Sequence, residues 1–239
     1  MSSDADALRV VHRALEGDAP LVLGQMGQSL DGCIATRTGA SHYVTGPESL
    51  VHLHRLRALV DAVVVGWRTV EADDPRLTVR RVEGADPVRV VVDPARRTGA
   101  DRNVYAGEGG ALRLVDGASA RGGLASRGVL DVAVPTRDGR VEPEAVLAAL
   151  RERGLHRVLV EGGGRLVSSF LRAGALDRLH VVVAPLLVGE GRPGVIPAPV
   201  DDLRDALRPE ARTVRLGSDV LFDLDLRTPH ASRQASTSE

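Results

Sequence analysis

Val158-Leu159-Val160-Glu161-Gly162-Gly163-Gly164-Arg165-Leu166 joins an apolar run, a carboxylate, three glycines and a helical pattern that continues through Val167, Phe170 and Leu171. The run predicts a buried strand, the glycines a turn, and the residues after them a helix. Consecutive glycines let the backbone bend sharply and approach a ligand, because no Cβ stands in the way. The first N–H groups of the helix that opens there have no intrahelical partner and favour an anion. Strand, turn and helix start together read as a phosphate cradle, with Glu161 at its lip beside a reacting group. Glycine-rich turns also serve as plain connectors, and the stretch alone leaves both readings open. It is not the dinucleotide fingerprint of a doubly wound domain. Val167 stands where the third glycine belongs, and the unit comes late in the chain.

Outward from this stretch the pattern alternates strand and helix. A short helix is expected around Ala5–Glu16, then a strand at Leu21–Met26 and a loop at 28–32. Thr45-Gly46-Pro47-Glu48 reads as a helix start, and Leu50, Leu53, Leu56 and Leu59 follow as one apolar stripe. Unbroken valine runs at Ala62–Gly66 and Val88–Val92 predict strands covered on both faces, which favours a parallel sheet. Further strands are expected near Ala111–Val115, Val129–Val134 and Arg178–Ala184, and a helix over Glu142–Arg153. Residues 185–199 read as a Gly/Pro loop. Thr213–Leu216 and Val220–Leu226 read as an antiparallel hairpin across Gly217-Ser218-Asp219. The expected architecture is one α/β domain over 20–227, with a mostly parallel sheet, helices on both faces and an antiparallel C-terminal hairpin. Residues 1–19 form an extension with a short helix, and 228–239 a polar, disordered tail.

Composition narrows the function. A chain of 239 residues, 43% hydrophobic, buries one substantial core. No run of eighteen apolar residues spans a membrane, and the acidic N-terminus has no signal core, so a cytoplasmic enzyme is expected. The single cysteine, Cys33, excludes an internal disulfide framework and a cysteine-based zinc site. His52 and His54 lie two apart on a helix and cannot make an i, i+4 metal pair, so no metal is expected. A net charge of −1 and few aromatic residues argue against nucleic acid as a partner.

Four ordered segments then carry a resemblance. They are Ser29-Leu30-Asp31-Gly32 with Ile34-Ala35; Gly39, Ser41 and Tyr43-Val44-Thr45-Gly46-Pro47; Leu56-Arg57-Ala58 through Asp61-Ala62, Gly66, Thr69-Val70, Ala72-Asp73-Asp74-Pro75, Leu77-Thr78-Val79-Arg80; and Glu161-Gly162-Gly163 with Phe170-Leu171, Ala173-Gly174, Leu176-Asp177 and Ala184-Pro185. Together, over roughly 21–226, they resemble the pyrimidine reductase family of bacterial riboflavin biosynthesis. The resemblance implies a dihydrofolate-reductase-like fold, NADPH as hydride donor, a homodimer, and reduction of the ring-opened sugar imine of a ribosylamino-pyrimidine phosphate to a ribityl amine. Many family members carry a zinc deaminase domain in front; with about twenty residues before the first strand, this chain resembles a free-standing reductase.

The resemblance also assigns residues. Gly163, Gly164, Arg165, Leu166, Val167 and Ser168 fall on the family's pyrophosphate turn, and Gly27, Tyr43, Thr69 and Asp73 on its other cofactor contacts. Ser41, Arg57, Leu77, Arg80 and Glu161 fall on the substrate side, with Gln25 close by; two arginines and a hydroxyl suit a sugar phosphate. Glu161 and Asp31 are the candidate catalytic groups, as proton donors or as anchors of the ribosyl hydroxyls. Read without the family, Asp73-Asp74-Pro75 is a capped turn, Tyr43 a half-buried aromatic, and Arg57 an exposed residue of a leucine-striped helix. Arg96 and Arg97, after the second valine run, either meet a 2′-phosphate or are solvated loop residues.

Two departures bear on the substrate. Gln25 and Cys33 stand where the family usually has a lysine and a basic residue. Loss of one charge-assisted hydrogen bond removes about 1.5–3 kcal/mol. The alternatives are therefore a reductase of a pterin or secondary-metabolite heterocycle, or, in another class, a nucleotide-binding module without turnover.

Overall fold

The valine runs do become a central sheet. The computed structural model describes residues 4–42, 44–107, 110–117, 124–125 and 129–227. In chain order its elements are α1 (Asp4–Arg13), β1 (Leu21–Ser29), β2 (Cys33–Thr36), α2 (Pro47–Ala58), β3 (Ala62–Gly66), α3 (Trp67–Asp73), β4 (Val88–Val92), β5 (Ala111–Asp116), β6 (Leu124–Ala125) and β7 (Val129–Val134). There follow β8 (Thr136–Arg137), β9 (Arg140–Val141), α4 (Pro143–Arg151), β10 (Arg157–Val160), α5 (Gly164–Arg172), β11 (Arg178–Ala184), β12 (Gly191–Pro193), β13 (Glu210–Leu216) and β14 (Asp219–Asp225). The ten-stranded sheet runs β13-β14-β11-β1-β10-β3-β4-β5-β7-β6. From β11 through β7 every pairing is parallel, while β14, β13 and the short β6 add antiparallel edges. This is the expected dihydrofolate-reductase-like arrangement.

Successive side chains of a strand point to opposite faces, so each valine run feeds two cores. Ala62, Val64, Val90, Val158 and Val160 pack with Val146, Leu150, Val167 and Phe170 of α4 and α5. Val63, Val65, Val91 and Leu159 pack with Leu56 of α2 and Val70 of α3 on the other side. Val11 of α1 joins Val182, Val214 and Leu221 in a third, smaller cluster. Helices thus cover both faces.

Three features depart from the sequence reading. The leucine stripe of α2 is only part of its buried face: Leu56 is buried and Leu53 and Leu59 pack half-buried against the same cluster, whereas Leu50 does not join it. Residues spaced by three fall about 60° short of a full turn at each step, so four leucines sweep across the helix surface. The buried positions are Ser49, His52, His54, Leu56 and Arg57. The second difference is α3, a seven-residue helix that the short pattern between two loops did not reveal. The third is a small sheet, in which β12, inside the segment read as a Gly/Pro loop, pairs antiparallel with β2, a stretch between two expected turns to which no element was assigned. The proposed tail at 228–239 lies outside the described residues.

Tertiary contacts also supply the cap of α2. Gly46 has no side chain to give, and the buried Asp219, from the β13–β14 turn, accepts from Gly46 N at 2.7 Å and Ser49 Oγ at 2.6 Å. A carboxylate at a helix N-terminus satisfies orphan donors and suits the dipole.

Candidate active site

In open parallel sheets ligands sit outside the carboxyl ends of the strands. Here β1, β3, β4 and β10 deliver Gly27, Gly66, Asp93 and Glu161 to that edge. The three glycines that follow β10 have separate duties. Gly162 turns the chain with φ 90, a left-handed conformation that side chains resist. Gly163 gives its N–H to Thr69 Oγ1 at 2.9 Å, and a Cβ added there would stand 3.1 Å from that hydroxyl. Gly164 opens α5 against the carbonyl oxygens of Pro193 and Gly194, which leave no room for a side chain. The amides of Gly164 and Arg165 have no hydrogen-bond partner among the described residues. A glycine cradle with two free amides at a helix start fits the diphosphate of a dinucleotide.

The cofactor-side residues divide. Thr69 sits against the turn, as just described. Arg165 is exposed and Leu166 half-buried, whereas the Val167 side chain lies in the core and only its backbone can meet a ligand. Ser168 is buried and its Oγ accepts from Ile196 N at 2.8 Å, an assignment the reading as a pyrophosphate contact had not foreseen. A Cβ on Gly27 would meet Thr45 Cγ2 at 2.8 Å, so this glycine admits the 44–46 segment onto β1. Tyr43 lies outside the described residues.

The substrate side is reordered more strongly. Arg57, which read as a free phosphate ligand or an exposed residue, is buried; its Nε and Nη2 donate to Glu161 Oε1 and Oε2, both at 2.8 Å, and its Nη1 to Thr78 O at 3.1 Å. Burial works against the guanidinium charge, but the Glu161 carboxylate outweighs it and raises the Arg57 pKa. Glu161 is therefore an acceptor held in a fixed plane by Arg57. Ser41 Oγ donates to Asp73 Oδ1 at 2.7 Å, bringing a residue read as substrate-side against one read as cofactor-side. Arg80 is exposed, and its backbone N donates to His54 Nδ1 at 2.9 Å. Leu77, with φ 57, is buried in the α2–α3 core and leaves little surface for a pyrimidine. Gln25 is buried on β1 opposite His180 of β11, with no hydrogen bond among the described residues.

Asp31 is engaged as a hydrogen-bond acceptor in this geometry. It is exposed, accepts from Ser29 Oγ, from Gly189 N at 2.6 Å and from Val188 N at 3.0 Å, and these bonds hold its pKa below the usual carboxylate value. It pins the 186–189 segment. Cys33 is likewise packed away, its Sγ against Gly189 O at 3.5 Å and against Gly191. A long basic side chain has no space there unless that loop moves.

Sequence reasoning missed a buried histidine chain beside the site. His12 Nε2 meets His52 Nδ1 at 3.0 Å, His52 Nε2 meets His180 Nδ1 at 3.1 Å, and His180 Nε2 meets Asp223 Oδ1 at 3.2 Å. Arg178 closes the chain by donating to Asp223. A proton on Nε2 of each ring satisfies every bond. Its members lie on α1, α2, β11 and β14, so no local pattern announces it. Among the described residues no cluster of three or more histidine, cysteine or acidic side chains is arranged to hold a metal. No helix there is long and apolar enough to cross a membrane.

Residues 20–221, which contain every element of this site, match the RibD C-terminal domain. The chain belongs to that family. It is 36% identical over 214 residues to the 2,5-diamino-6-ribosylamino-4(3H)-pyrimidinone 5′-phosphate reductase of Methanothermobacter thermautotrophicus, covering 87% of this chain and 99% of that protein. It is 33% identical over 213 residues to the riboflavin biosynthesis protein RibD of Mycobacterium tuberculosis, and spans 55% of it. Among solved structures, Acinetobacter baumannii RibD superposes with a TM-score of 0.73 at 27% identity, over 87% of this chain and 58% of that one. Yeast Rib7, a riboflavin biosynthesis reductase, shares the fold with a TM-score of 0.72 at 20% identity, over 93% and 99% of the two chains.

Proposed function

We propose that the chain reduces the ring-opened sugar imine of a ribosylamino-pyrimidine 5′-phosphate to a ribityl amine, with NADPH as hydride donor. The observation that carries this reading is the end of β10, where consecutive residues serve two ligands. Glu161 is locked to Arg57 on one side, and Gly163 with Thr69 forms a diphosphate cradle on the other. Bound NADPH supplies the hydride. The protein's share is placement: the Gly164 and Arg165 amides take the diphosphate, and Glu161, held in plane by Arg57, accepts from a ribosyl hydroxyl. Fixed positioning at near-attack distance accounts for most of the acceleration such a reaction needs. With Asp31 and Glu161 both acting as acceptors, the proton for the imine nitrogen comes from water.

The substrate of the archaeal relative is a diamino-pyrimidinone, which makes the 2-amino ring the first candidate and the 2-oxo ring the second. Gln25, which offers both a donor and an acceptor, suits either ring edge, where a lysine only donates. The test is NADPH oxidation by the purified chain with each ribosylamino-pyrimidine 5′-phosphate, and a dihydropterin as control. Turnover of a pyrimidine alone sustains the reading; turnover of the pterin alone, or NADPH binding with no turnover, refutes it. A cytoplasmic homodimer belongs to the same proposal. Exposed Leu187, Ile196, Val200, Leu203 and Leu207 on the segment after β11 support an interface between two copies.

A further inference from the structure

Residues 74–80, which follow α3, form no regular element, yet side chains from outside hold the backbone there at three successive residues. Arg57 Nη1 donates to Thr78 O at 3.1 Å, Val79 N donates to Asp86 Oδ1 at 2.6 Å, and Arg80 N donates to His54 Nδ1 at 2.9 Å. His54 and Arg57 are both buried and lie three residues apart on α2, so one face of that helix offers an acceptor and a donor to the passing chain. Side chains here satisfy backbone groups that a neighbouring strand would otherwise pair.

The path into this stretch is strained. Asp74 and Leu77 adopt φ 41 and φ 57, a left-handed conformation that residues with a Cβ resist. Such residues persist where their surroundings over-determine them. Leu77 is fixed by burial among the side chains of α2 and α3. Beyond it, the His54 bond decides the direction in which the chain passes residue 80, and with it where the exposed Arg80 guanidinium stands. That guanidinium also folds back, its Nη1 donating to Thr78 Oγ1 at 2.5 Å.

His54 accepts at Nδ1 only while its ring is neutral. Burial first, then the charges of Arg57, Arg80 and Arg81, hold its pKa down at about 4 against the opposing pull of Asp86. The ring proton therefore sits on Nε2, and Nδ1 keeps its lone pair for Arg80 N at neutral pH.

We propose that His54 is a positioning residue: by accepting from the Arg80 amide it aims the Arg80 side chain at the substrate's phosphate ester, and so sets substrate affinity without touching the reacting atoms. It rests on the reaction proposed above and on Arg80 as a substrate-side residue. Arg57 does not share this task, because its Nε and Nη2 are engaged by Glu161.

Asparagine carries an acceptor oxygen near the place of a histidine Nδ1, whereas glutamine carries its amide near Nε2. The full chain and its H54N, H54Q, H54L, R80Q and H54L/R80Q variants are assayed for reduction of the ribosylamino-pyrimidine 5′-phosphate by NADPH, and for ribose 5-phosphate binding by calorimetry. H54L and H54Q should raise the substrate KM and the ribose 5-phosphate Kd about tenfold, with kcat held within about twofold and the KM for NADPH unmoved. H54N should restore both constants, and in the R80Q background H54L should add nothing. Where H54L does not fold, H54Q/R80Q takes its place in that comparison. H54N and H54Q that behave alike, a fall in kcat at constant KM, or a His54 effect that persists undiminished in R80Q overturns the assignment. If ribose 5-phosphate binding follows this pattern but no pyrimidine is reduced, the proposed reaction fails and the role of His54 stands. If a pyrimidine is reduced with a KM indifferent to every His54 variant, the reaction stands and this role fails.

Discussion

Arg57 and Glu161, 104 residues apart in sequence, share two parallel hydrogen bonds of 2.8 Å in a buried ion pair that ties α2 to the end of β10. Breaking a buried pair by removing one partner strands the other charge and costs about 3–5 kcal/mol. Glu161→Gln and Arg57→Met should each destabilise the fold by that order, as measured by urea unfolding. The double variant Arg57→Met/Glu161→Leu should recover most of the stability and remain inactive. Recovery of reductase activity in the double variant would remove the pair from the site.

The glycine turn separates into binding and packing positions. Gly164→Ala forces a methyl group into the Pro193 and Gly194 carbonyls, so it should lower the melting temperature, with a penalty of about 1–3 kcal/mol. Gly163→Ala meets only the Thr69 hydroxyl and should leave the fold nearly intact while weakening NADPH binding at least tenfold. Equal NADPH affinity in a folded Gly163→Ala chain contradicts the cradle.

Four buried histidines make stability depend on pH. Burial, with help from nearby arginines, lowers His12 and His54 to about 4, and also lowers His52 and His180. The unfolded chain takes up these protons first, near pH 6.5, so the stabilising term is fully present above that value and is lost as the pH falls toward 4. Each histidine contributes a slope of up to about 1.4 kcal/mol per pH unit across that window. Thermal unfolding between pH 7.5 and 4 should show the fall, and His12→Gln should flatten it. A melting temperature that is level across this range rejects the neutral chain.

Asp31→Asn offers a clean separation of anchoring from proton transfer. The variant keeps an acceptor for the Val188 and Gly189 amides but loses the charge. It should raise KM a fewfold through a looser 186–189 segment, with the pH profile of kcat unmoved. A new pH dependence of kcat would return Asp31 to the role of proton donor.

Among the described residues Leu203 is the most exposed of the large apolar side chains, at 76%. Leu203→Asp places a charge in the proposed copy-to-copy contact, and sedimentation should show a shift toward monomer. Unchanged mass across the micromolar range moves the interface elsewhere.

Several elements were legible because their causes are local. The valine runs at β3, β4 and β10 declare strands covered on two faces, and a period of two divides them between two cores without further information. The glycines after Glu161 declare a turn because no other residue tolerates φ 90 so freely. The ordered segments from Ser29 to Pro185 announced the family. The short α3 and the β2–β12 pair lacked any such signature, being a single helical stretch of seven residues and two glycine-flanked strands.

What the chain order alone determined, then, is the parallel sheet, its two apolar faces and the glycine turn after β10. Folding decided which polar groups meet. Arg57 and Glu161 cancel one another, Asp219 caps a helix from a distant hairpin, and His12, His52, His180 and Asp223 form one line. The physical reason is reach. Periodicity and glycine act over a few residues of backbone, whereas a buried charge or ring nitrogen must take whatever partner the packed chain brings within about 3 Å.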